Sequence, residues 1–396
     1  EWKLFSDASH LPLFEQAHNL FSSINIYTRT APVLASSWLA GAYIDLNDLA
    51  SAETYLSELY EKVLAAEYQW GIAWTKQAMA KLALSKGDAA TWLSLLQESL
   101  ELFTAIGDEW PAKNISETLI WQKYLSGKFE ETARLSKQII VLYEKDNEPE
   151  RIARCYLTLG YVAFEKGEYA TARTFFTDAA NIFIELELPG DGILAKENIA
   201  FLLYAEGKLQ DSRSEYLVLL SQLTTLTDSY LFGFLHARYA LVSMGEQHLI
   251  EARKSLEIAL EVLKKTAPKD NIYHAYFGLG ELARLENNTQ EASNNYCASL
   301  QYVNGFLGYV YFPDIIDGIA KIECSRSNFD QATKLFGASE ALRRKIGVVI
   351  HPVDQPDYDK HIKLLKSQMN TEDFESAWVE GANMSIEEAY EYALHD

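Results

Sequence analysis

Residues 159–179 read LGYVAFEKGEYATARTFFTDA, and this stretch predicts a pair of packed helices. Small side chains at Gly160 and Ala172 lie on either side of a glycine, Gly167. Small residues allow two helices to approach closely, and a glycine allows the chain to reverse direction between them. The stretch therefore predicts two helices that cross at Gly160 and Ala172.

The same pattern recurs along the chain with a period of 40 residues. Gly or Ala occupies seven of eight equivalent sites, which are Ala40, Ala80, Ile120, Gly160, Ala200, Ala240, Gly280 and Ala320. Turn formers or small polar residues, with one exception, follow seven positions later at Asn47, Gly87, Gly127, Gly167, Gly207, Gln247, Asn287 and Ser327. A regular period of this kind is typical of a solenoid, in which each unit packs mainly against its neighbours. We therefore predict about eight helix-turn-helix repeats in residues 33–352.

The order of residues within a repeat resembles the tetratricopeptide repeat (TPR), with matches at Leu159-Gly160, Ala163, Gly167, Ala172, Phe176 and Ala179. The resemblance implies an all-α, right-handed superhelix, or α-solenoid. A TPR has about 34 residues, whereas the period here is 40. We expect the additional residues in the second helix and in the connection to the next repeat, where breakers such as Pro149 and Pro189 cluster.

Both ends of the chain fall outside the eight repeats. Residues 1–32 carry the apolar stripe of one amphipathic helix, and we interpret them as the remainder of an incomplete upstream helical repeat. The chain is accordingly expected to be a segment of a longer protein. Residues 353–396 are expected to form C-terminal capping helices, and Ser385 with Glu388 predicts a capping box at the start of the last one.

Residues 331–395 resemble the segment that closes the repeat array in bacterial signal-transduction ATPases with numerous domains (STAND proteins). The matching features are Leu335-Phe336-Gly337-Ala338, Glu340-Ala341-Leu342-Arg343, Ile346-Gly347, Pro352, Tyr358, Ala377-Trp378 and Glu380-Gly381. Similarity to the maltose-regulon activator and to actinomycete antibiotic regulators implies a sensor domain. Such a domain would bind an inducer or a protein partner on its concave face and control an upstream nucleotide-binding (NTPase) module of the same polypeptide.

The alternative function is a free-standing TPR scaffold or a peptide-sensing protein. The gene upstream of this chain separates the two, because a phosphate-binding loop encoded there would exclude the alternative.

Composition narrows the choice of partners and compartment. The chain has 396 residues with 56 acidic against 35 basic side chains and a net charge of −21, which disfavours direct binding to nucleic acid. No apolar run approaches the roughly 18 residues of a membrane span, and no signal peptide is recognisable. We expect a cytoplasmic protein without membrane contact. The cysteines Cys155, Cys297 and Cys324 lack metal-ligand spacing, so neither metal nor cofactor is expected.

A candidate binding surface follows from the register of the first helices. In TPR-like superhelices the ninth and twelfth positions of these helices tend to face the concave groove, and here they carry aromatic side chains at Trp121, Tyr161, Phe201, Tyr124, Phe164 and Tyr204. We add the polar neighbours Asn114, Glu117, Arg154 and Glu197, and from the preceding repeat Trp74, Gln77 and Lys81. Flat rings beside a few polar groups suit a ligand or peptide. Alternatively, the rings pack between neighbouring helices, and their exposure separates the two interpretations.

The sequence contains no recognisable catalytic motif, and we expect no enzymatic activity. The chain should neither bind nor hydrolyse ATP, because it lacks the glycine-rich backbone cradle and the lysine that hold nucleotide phosphates. Titration calorimetry with Mg-ATP tests this expectation. Micromolar binding would contradict it and would place a nucleotide site within this chain.

Overall fold

The computed structural model describes residues 11–24, 27–223, 229–266, 271–304 and 308–394. All regular secondary structure in these ranges is helical, which confirms the all-α class. The helices are α1 Leu11–Ile24, α2 Thr30–Asp45, α3 Leu49–Ala65, α4 Gln69–Ser85, α5 Ala89–Ile106, α6 Glu109–Leu125, α7 Phe129–Asp146, α8 Pro149–Glu165, α9 Tyr169–Glu185, α10 Pro189–Ala205, α11 Leu209–Gln222, α12 Tyr230–Gly245, α13 Leu249–Lys265, α14 Ile272–Leu285, α15 Thr289–Asn304, α16 Phe312–Ser325, α17 Phe329–Ile346, α18 Gln355–Gln368, α19 Thr371–Ala382 and α20 Ile386–Leu394. A short 3-10 helix, Tyr309–Tyr311, precedes α16.

Along the chain, helices α2 to α17 alternate as eight first and eight second helices, as the 40-residue period predicts. Packing divides the chain into two compact units, residues 1–120 and residues 121–396. The first unit contains α1 to α5 and most of α6, and the second contains the end of α6 and α7 to α20. The limits proposed for the incomplete repeat and for the C-terminal cap stay predictions, and residues 1–10 lie outside the described residues.

The turn inside every pair has the same left-handed residue. All eight turn positions of the 40-residue register have positive φ, with values of 72° to 80° at the four glycines and 61° to 64° at Asn47, Gln247, Asn287 and Ser327. Glycine adopts this conformation without a steric penalty, and asparagine tolerates it better than other residues do. The register therefore locates the turns correctly even where the residue is Gln or Ser.

The location of the additional residues in a repeat agrees with the expectation only in part. α8 and α9 have 17 residues each, and α10 begins at Pro189 soon after α9 ends at Glu185. Later repeats have longer connections, since α11 ends at Gln222 and α12 begins at Tyr230, and α13 ends at Lys265 and α14 begins at Ile272. Pro149 and Pro189 occupy the first position of α8 and α10, where a proline is compatible with a helix. Pro149 and Pro189 thus start helices and do not form longer loops, whereas the connections before α12, α14 and α16 are longer, as expected.

The small residues lie where the two helices of a pair touch. Ala40, Ala80, Ala200, Ala240 and Ala320 are all completely buried. A methyl group at Gly160 would overlap the ring of Phe176 on α9, and one at Gly280 would lie 2.7 Å from the ring of Tyr296 on α15. Because each of these glycines has no side chain, an aromatic ring of the partner helix can pack against its backbone in the core.

The C-terminal signature has a similar physical basis. Side-chain atoms at Gly337 of α17 or Gly381 of α19 would collide with the backbone of the other helix, at Trp378 and Lys334 respectively. The capping box is confirmed, because the Ser385 amide donates to Glu388 Oε2 (2.8 Å) and the Glu388 amide donates to Ser385 Oγ (3.1 Å). The glycines of the signature thus permit α19 to pack directly on α17.

Replacing Gly160 or Gly280 with leucine should lower the free energy of unfolding by about 1 to 3 kcal/mol, because the new side chain overpacks the helix crossing. Gly190→Leu is a matched control, since no atom lies within 4 Å of a methyl group built at Gly190. Urea denaturation measures the difference. Equal stability of the Gly160 variant and the control would show that this glycine does not mark a close helix contact.

Candidate ligand-binding site

A segment after α17 returns to two earlier first helices of the same unit. We call residues 347–354 the return segment. The Val349 amide donates to the carbonyl of Glu165 (3.0 Å), and the Val353 amide donates to the carbonyl of Ala205 (3.2 Å). Glu165 and Ala205 are the last residues of α8 and α10, where carbonyls have no partner within the helix. The return segment therefore satisfies the ends of two successive first helices.

Side chains fix the return segment as well. His351 Nδ1 lies 2.9 Å from the Tyr169 hydroxyl, and its ring packs against Phe164 with 4.4 Å between ring centroids. Burial lowers the pKa of His351 to about 4, so the imidazole is neutral at physiological pH. The turn glycines Gly127 and Gly167 also leave room here, because side chains there would meet Ile346 and Val349.

A cavity of about 380 Å³ lies between the return segment and the first helices α8, α10, α12, α14 and α16. This volume falls within the range of small-molecule sites in proteins. The cavity has an aromatic wall formed by Phe164, Phe201, Tyr204, Tyr273, Phe277 and Tyr311. Charged side chains also line it, at Glu165, Arg238, Glu281, Arg284, Asp314, Asp317, Lys321, Arg343, Asp354 and Asp357. The site thus combines flat apolar surface with several ionisable groups.

We call the six aromatic side chains at the ninth and twelfth positions of the first helices the aromatic ladder. Half of it lines this cavity, namely Phe164, Phe201 and Tyr204. The other half does not. Tyr124 is buried and its hydroxyl donates to Glu165 Oε1 (2.9 Å), while the Tyr161 hydroxyl accepts from the Asn198 amide (3.1 Å). Trp121 stacks on Tyr124 with 37% of its surface exposed. The ladder is therefore divided between the cavity wall and packing between helices.

The polar residues proposed beside the ladder in this unit have other partners. Arg154 is exposed and forms ion pairs with Glu150 (3.0 Å) and Asp191 (3.1 Å). Glu197 is buried and accepts a hydrogen bond from the Tyr216 hydroxyl of α11 (2.7 Å). Neither side chain lines the cavity. Glu197 therefore takes part in the packing of α10 on α11, and Arg154 takes part in ion pairs at the surface.

The remaining candidates belong to the first unit. Trp74 is buried against Trp70 and Phe103, with ring centroids 5.1 Å and 6.4 Å away. Lys81 forms an ion pair with Asp45 (2.9 Å). Gln77, Asn114 and Glu117 are partly exposed. A binding role for these five residues stays a prediction.

Most of the cations at the cavity are paired with carboxylates. Arg343 lies 2.7 Å from both Asp314 and Asp317. Lys321 lies 3.0 Å from Asp357. Arg284 contacts the same Asp357 (3.2 Å) and Glu281 (2.6 Å). These cations therefore already have anionic partners within the protein.

Arg238 is the functional candidate that the sequence analysis missed. It is the only Lys, Arg, Asp or Glu in α12, whose sequence YLFGFLHARYALVSMG is otherwise nearly apolar. A single charged residue in such a helix is the available signal, because a fully buried helix face has no solvated position for a charge. The ninth and twelfth positions alone could not reveal it.

Glu165 carries an unusual carboxyl group. Burial raises its pKa to about 8; the hydrogen bond from Tyr124 acts in the opposite direction, and the nearby charge of Asp314 adds a smaller increase. The carboxyl group consequently holds its proton at neutral pH. In the part of the chain that the structure describes, no cluster of three or more His, Cys, Asp or Glu side chains could hold a metal ion.

The helix pairs and the cavity together define a TPR-like helical repeat protein. No family model matches the chain. Over 351 residues it is 24% identical to proteins of Mycobacterium tuberculosis and Mycobacterium bovis that carry the name "Putative HTH-type transcriptional regulator". The match covers 87% of this chain and 38% of each relative, so the chain spans well under half of the length of these relatives.

Solved structures support the fold. The Rap conjugation gene regulator of plasmid pLS20, solved with the Phr* peptide, has a TM-score of 0.60 at 12% identity and covers 85% of this chain and 96% of its own. The apo form of RapI has a TM-score of 0.51 at 12% identity, covering 69% of this chain and 98% of its own. Among the described residues of this chain, no helix is both long and apolar enough to cross a membrane.

The high pKa of Glu165 predicts a specific pH dependence. The unfolded chain releases this proton near the ordinary pKa of 4.5 and the folded chain releases it near 8, so the free energy of unfolding should fall as the pH rises from about 5 to 8. Glu165→Gln removes this titration and keeps an acceptor for Tyr124. At about pH 8 the variant should be more stable than the wild type by about 2 to 4 kcal/mol, and the gap should narrow towards pH 5.

Urea denaturation across this pH range measures the effect. Glu168→Gln is the control, because Glu168 is exposed on the neighbouring turn and its replacement should leave the pH dependence of the wild type intact. Parallel stability curves for the wild type and Glu165→Gln would show that Glu165 ionises normally.

Proposed function

We propose that this chain is the ligand-sensing region of a larger bacterial transcriptional regulator. The observation that supports this function most directly is the cavity closed by the return segment. A ligand in that cavity contacts α8 and α10 together with residues 350–354 of the return segment, and hydrogen bonds already join these elements at Glu165 and Ala205. Binding would therefore alter how the return segment packs on the repeats.

The proposal includes an upstream NTPase module of the same polypeptide, as in STAND proteins. Two observations support it. The glycines and the capping box of the STAND-like signature have defined structural roles at the contact of α17 with α19 and at the start of α20. The mycobacterial relatives are more than twice as long as the matched part, which leaves length for nucleotide-binding and DNA-binding domains. In this proposal the chain itself acts in the cytoplasm by binding and not by catalysis.

A free-standing peptide sensor is the second candidate. The specific observation in its favour is the likeness to Rap regulators, two of which were solved with the Phr* peptide and with the competence and sporulation factor. The coding sequence upstream separates the candidates, because a phosphate loop in the same reading frame excludes a free-standing protein. Both candidates place the ligand in the same cavity.

The test begins with a thermal-shift screen of the purified chain against short peptides and a metabolite collection. For any compound that raises the midpoint, calorimetry with Tyr204→Ala should show binding weakened by about 2 kcal/mol or more, because an aromatic anchor of the cavity wall is lost. Tyr302→Ala is the matched control, since Tyr302 of α15 is 37% exposed and does not line the cavity. Equal binding by both variants would contradict a ligand site in this cavity.

A further inference from the structure

The guanidinium of Arg238 is held in a fixed position at the cavity wall. Its central carbon lies 3.6 Å from the centre of the Phe201 ring on α10 and 5.4 Å from that of Phe234 on α12. Stacking of this kind orients the planar group and leaves its edge available to an acceptor. Arg238 is therefore a positioned cation and not a flexible surface side chain.

Arg238 differs from the other cations of the cavity in its partners. Arg284, Lys321 and Arg343 each lie within 3.2 Å of a carboxylate oxygen. Arg238 forms no ion pair in the part of the chain that the structure describes, and its enclosed Nε atom has no hydrogen-bond partner there. A guanidinium without an acceptor is costly, because burial removes the water that would otherwise solvate it.

The acids that interact electrostatically with Arg238 do not form an ion pair with it. Glu197 and Glu165 interact electrostatically with Arg238. The Glu197 carboxyl group accepts a hydrogen bond from the Tyr216 hydroxyl, and that of Glu165 accepts one from the Tyr124 hydroxyl. Burial raises the pKa of Glu197, and it raises that of Glu165 to about 8. Both shifts favour the uncharged acid. Among the described residues, the guanidinium of Arg238 therefore stands at the cavity wall as a positive charge without an ion pair.

The aromatic residues near Arg238 indicate which kind of chemical group would be joined to an anion bound there. Phe201 and Tyr204 of α10 and Phe277 of α14 line the cavity. His274 beside them is uncharged at neutral pH, because burial and then the charge of Arg238 lower its pKa well below the ordinary value. A single unpaired cation matches one negative charge. Asp314 and Asp317 on α16 share one cation, Arg343, so they would disfavour the second charge of a dianion such as phosphate.

We propose that the cavity binds a carboxylate joined to an aromatic or apolar group, with the carboxylate on Arg238 and the apolar group against Phe201, Tyr204 and Phe277. Arginine binds a carboxylate through two parallel N–H bonds, which adds geometric selectivity to the charge attraction. The inference rests on the proposed function of the cavity as a ligand site and names the chemical class of that ligand. A small organic acid and the C-terminal residue of a short peptide share this chemistry.

The test uses N-acetylphenylalanine and its uncharged amide as probes of the purified chain near neutral pH. Calorimetry should show that the acid binds at least about tenfold more tightly than the amide, because only the acid pairs with the guanidinium. Arg238→Met keeps an unbranched apolar side chain over Phe201 and should abolish the preference. Arg253→Met is the matched control, since Arg253 on α13 pairs with Glu286 and Glu291 at the surface, and the preference should persist.

A stability measurement separates a binding role from a structural one. Arg238→Met should leave the thermal midpoint of the ligand-free chain unchanged or raise it, because the substitution removes a buried charge without an ion pair. A lower midpoint together with an unchanged acid preference would overturn the inference and make Arg238 a structural partner of Glu197. Equal binding of acid and amide by the wild type, or binding of neither, would also overturn it.

Two further comparisons complete the design. Acetyl-Leu-Leu-Phe and its amide show the source of the carboxylate, since tighter binding of the tripeptide acid than of N-acetylphenylalanine indicates a peptide terminus and the reverse indicates a small acid. The thermal-shift screen distinguishes a failure of the carboxylate inference from a failure of the proposed sensor function. If compounds bind in a Tyr204-dependent manner but without an acid preference, only the carboxylate inference fails. If no compound binds, the proposed sensor function fails with it.

Discussion

The close crossing of the two helices in each pair is the contact on which the rest of the structure depends. At Gly160 and Gly280 an aromatic ring of the partner helix, Phe176 or Tyr296 respectively, occupies the space that a side chain on the glycine would need. Packing at this distance fixes the rotation of the first helix about its own axis. In the second unit five first helices fixed in this way contribute the wall of a single cavity.

The return segment connects the end of the repeats to that wall through backbone hydrogen bonds. Glu165 and Ala205 are equivalent residues of successive repeats, and Val349 and Val353 are four residues apart. The helix ends are therefore spaced so that one short segment satisfies both carbonyls. A ligand that contacts both the segment and these helices would act on the hydrogen bonds that join the segment to the ends of α8 and α10.

The ionisable groups of the cavity follow from the cost of burying charge. Arg343, Lys321 and Arg284 are offset by aspartate or glutamate at short distances, and Glu165 is stabilised as the neutral acid. Arg238 is the exception, and its α12 has no acidic residue to pair with it. A chain with a net charge of −21 can still present a cationic site, because local pairing and protonation decide the charge at the cavity and the total does not.

The 40-residue register was sufficient to place the eight helix pairs, their left-handed turns and their small contact residues, since these features depend on local sterics that recur with the sequence. The capping box at Ser385 and Glu388 was predictable for the same reason.

The division of the aromatic ladder between cavity wall and helix packing was not predictable from the sequence. Both Phe164 and Tyr124, at the same position one repeat earlier, are buried, but Phe164 lines the cavity against His351, whereas the Tyr124 hydroxyl donates to Glu165. The difference arises from residues 347–358, which approach from far along the chain, and no periodic pattern encodes that approach. The unpaired state of Arg238 likewise depends on distances to helices that are remote in sequence, because the neutralisation of a charge is a property of its three-dimensional surroundings.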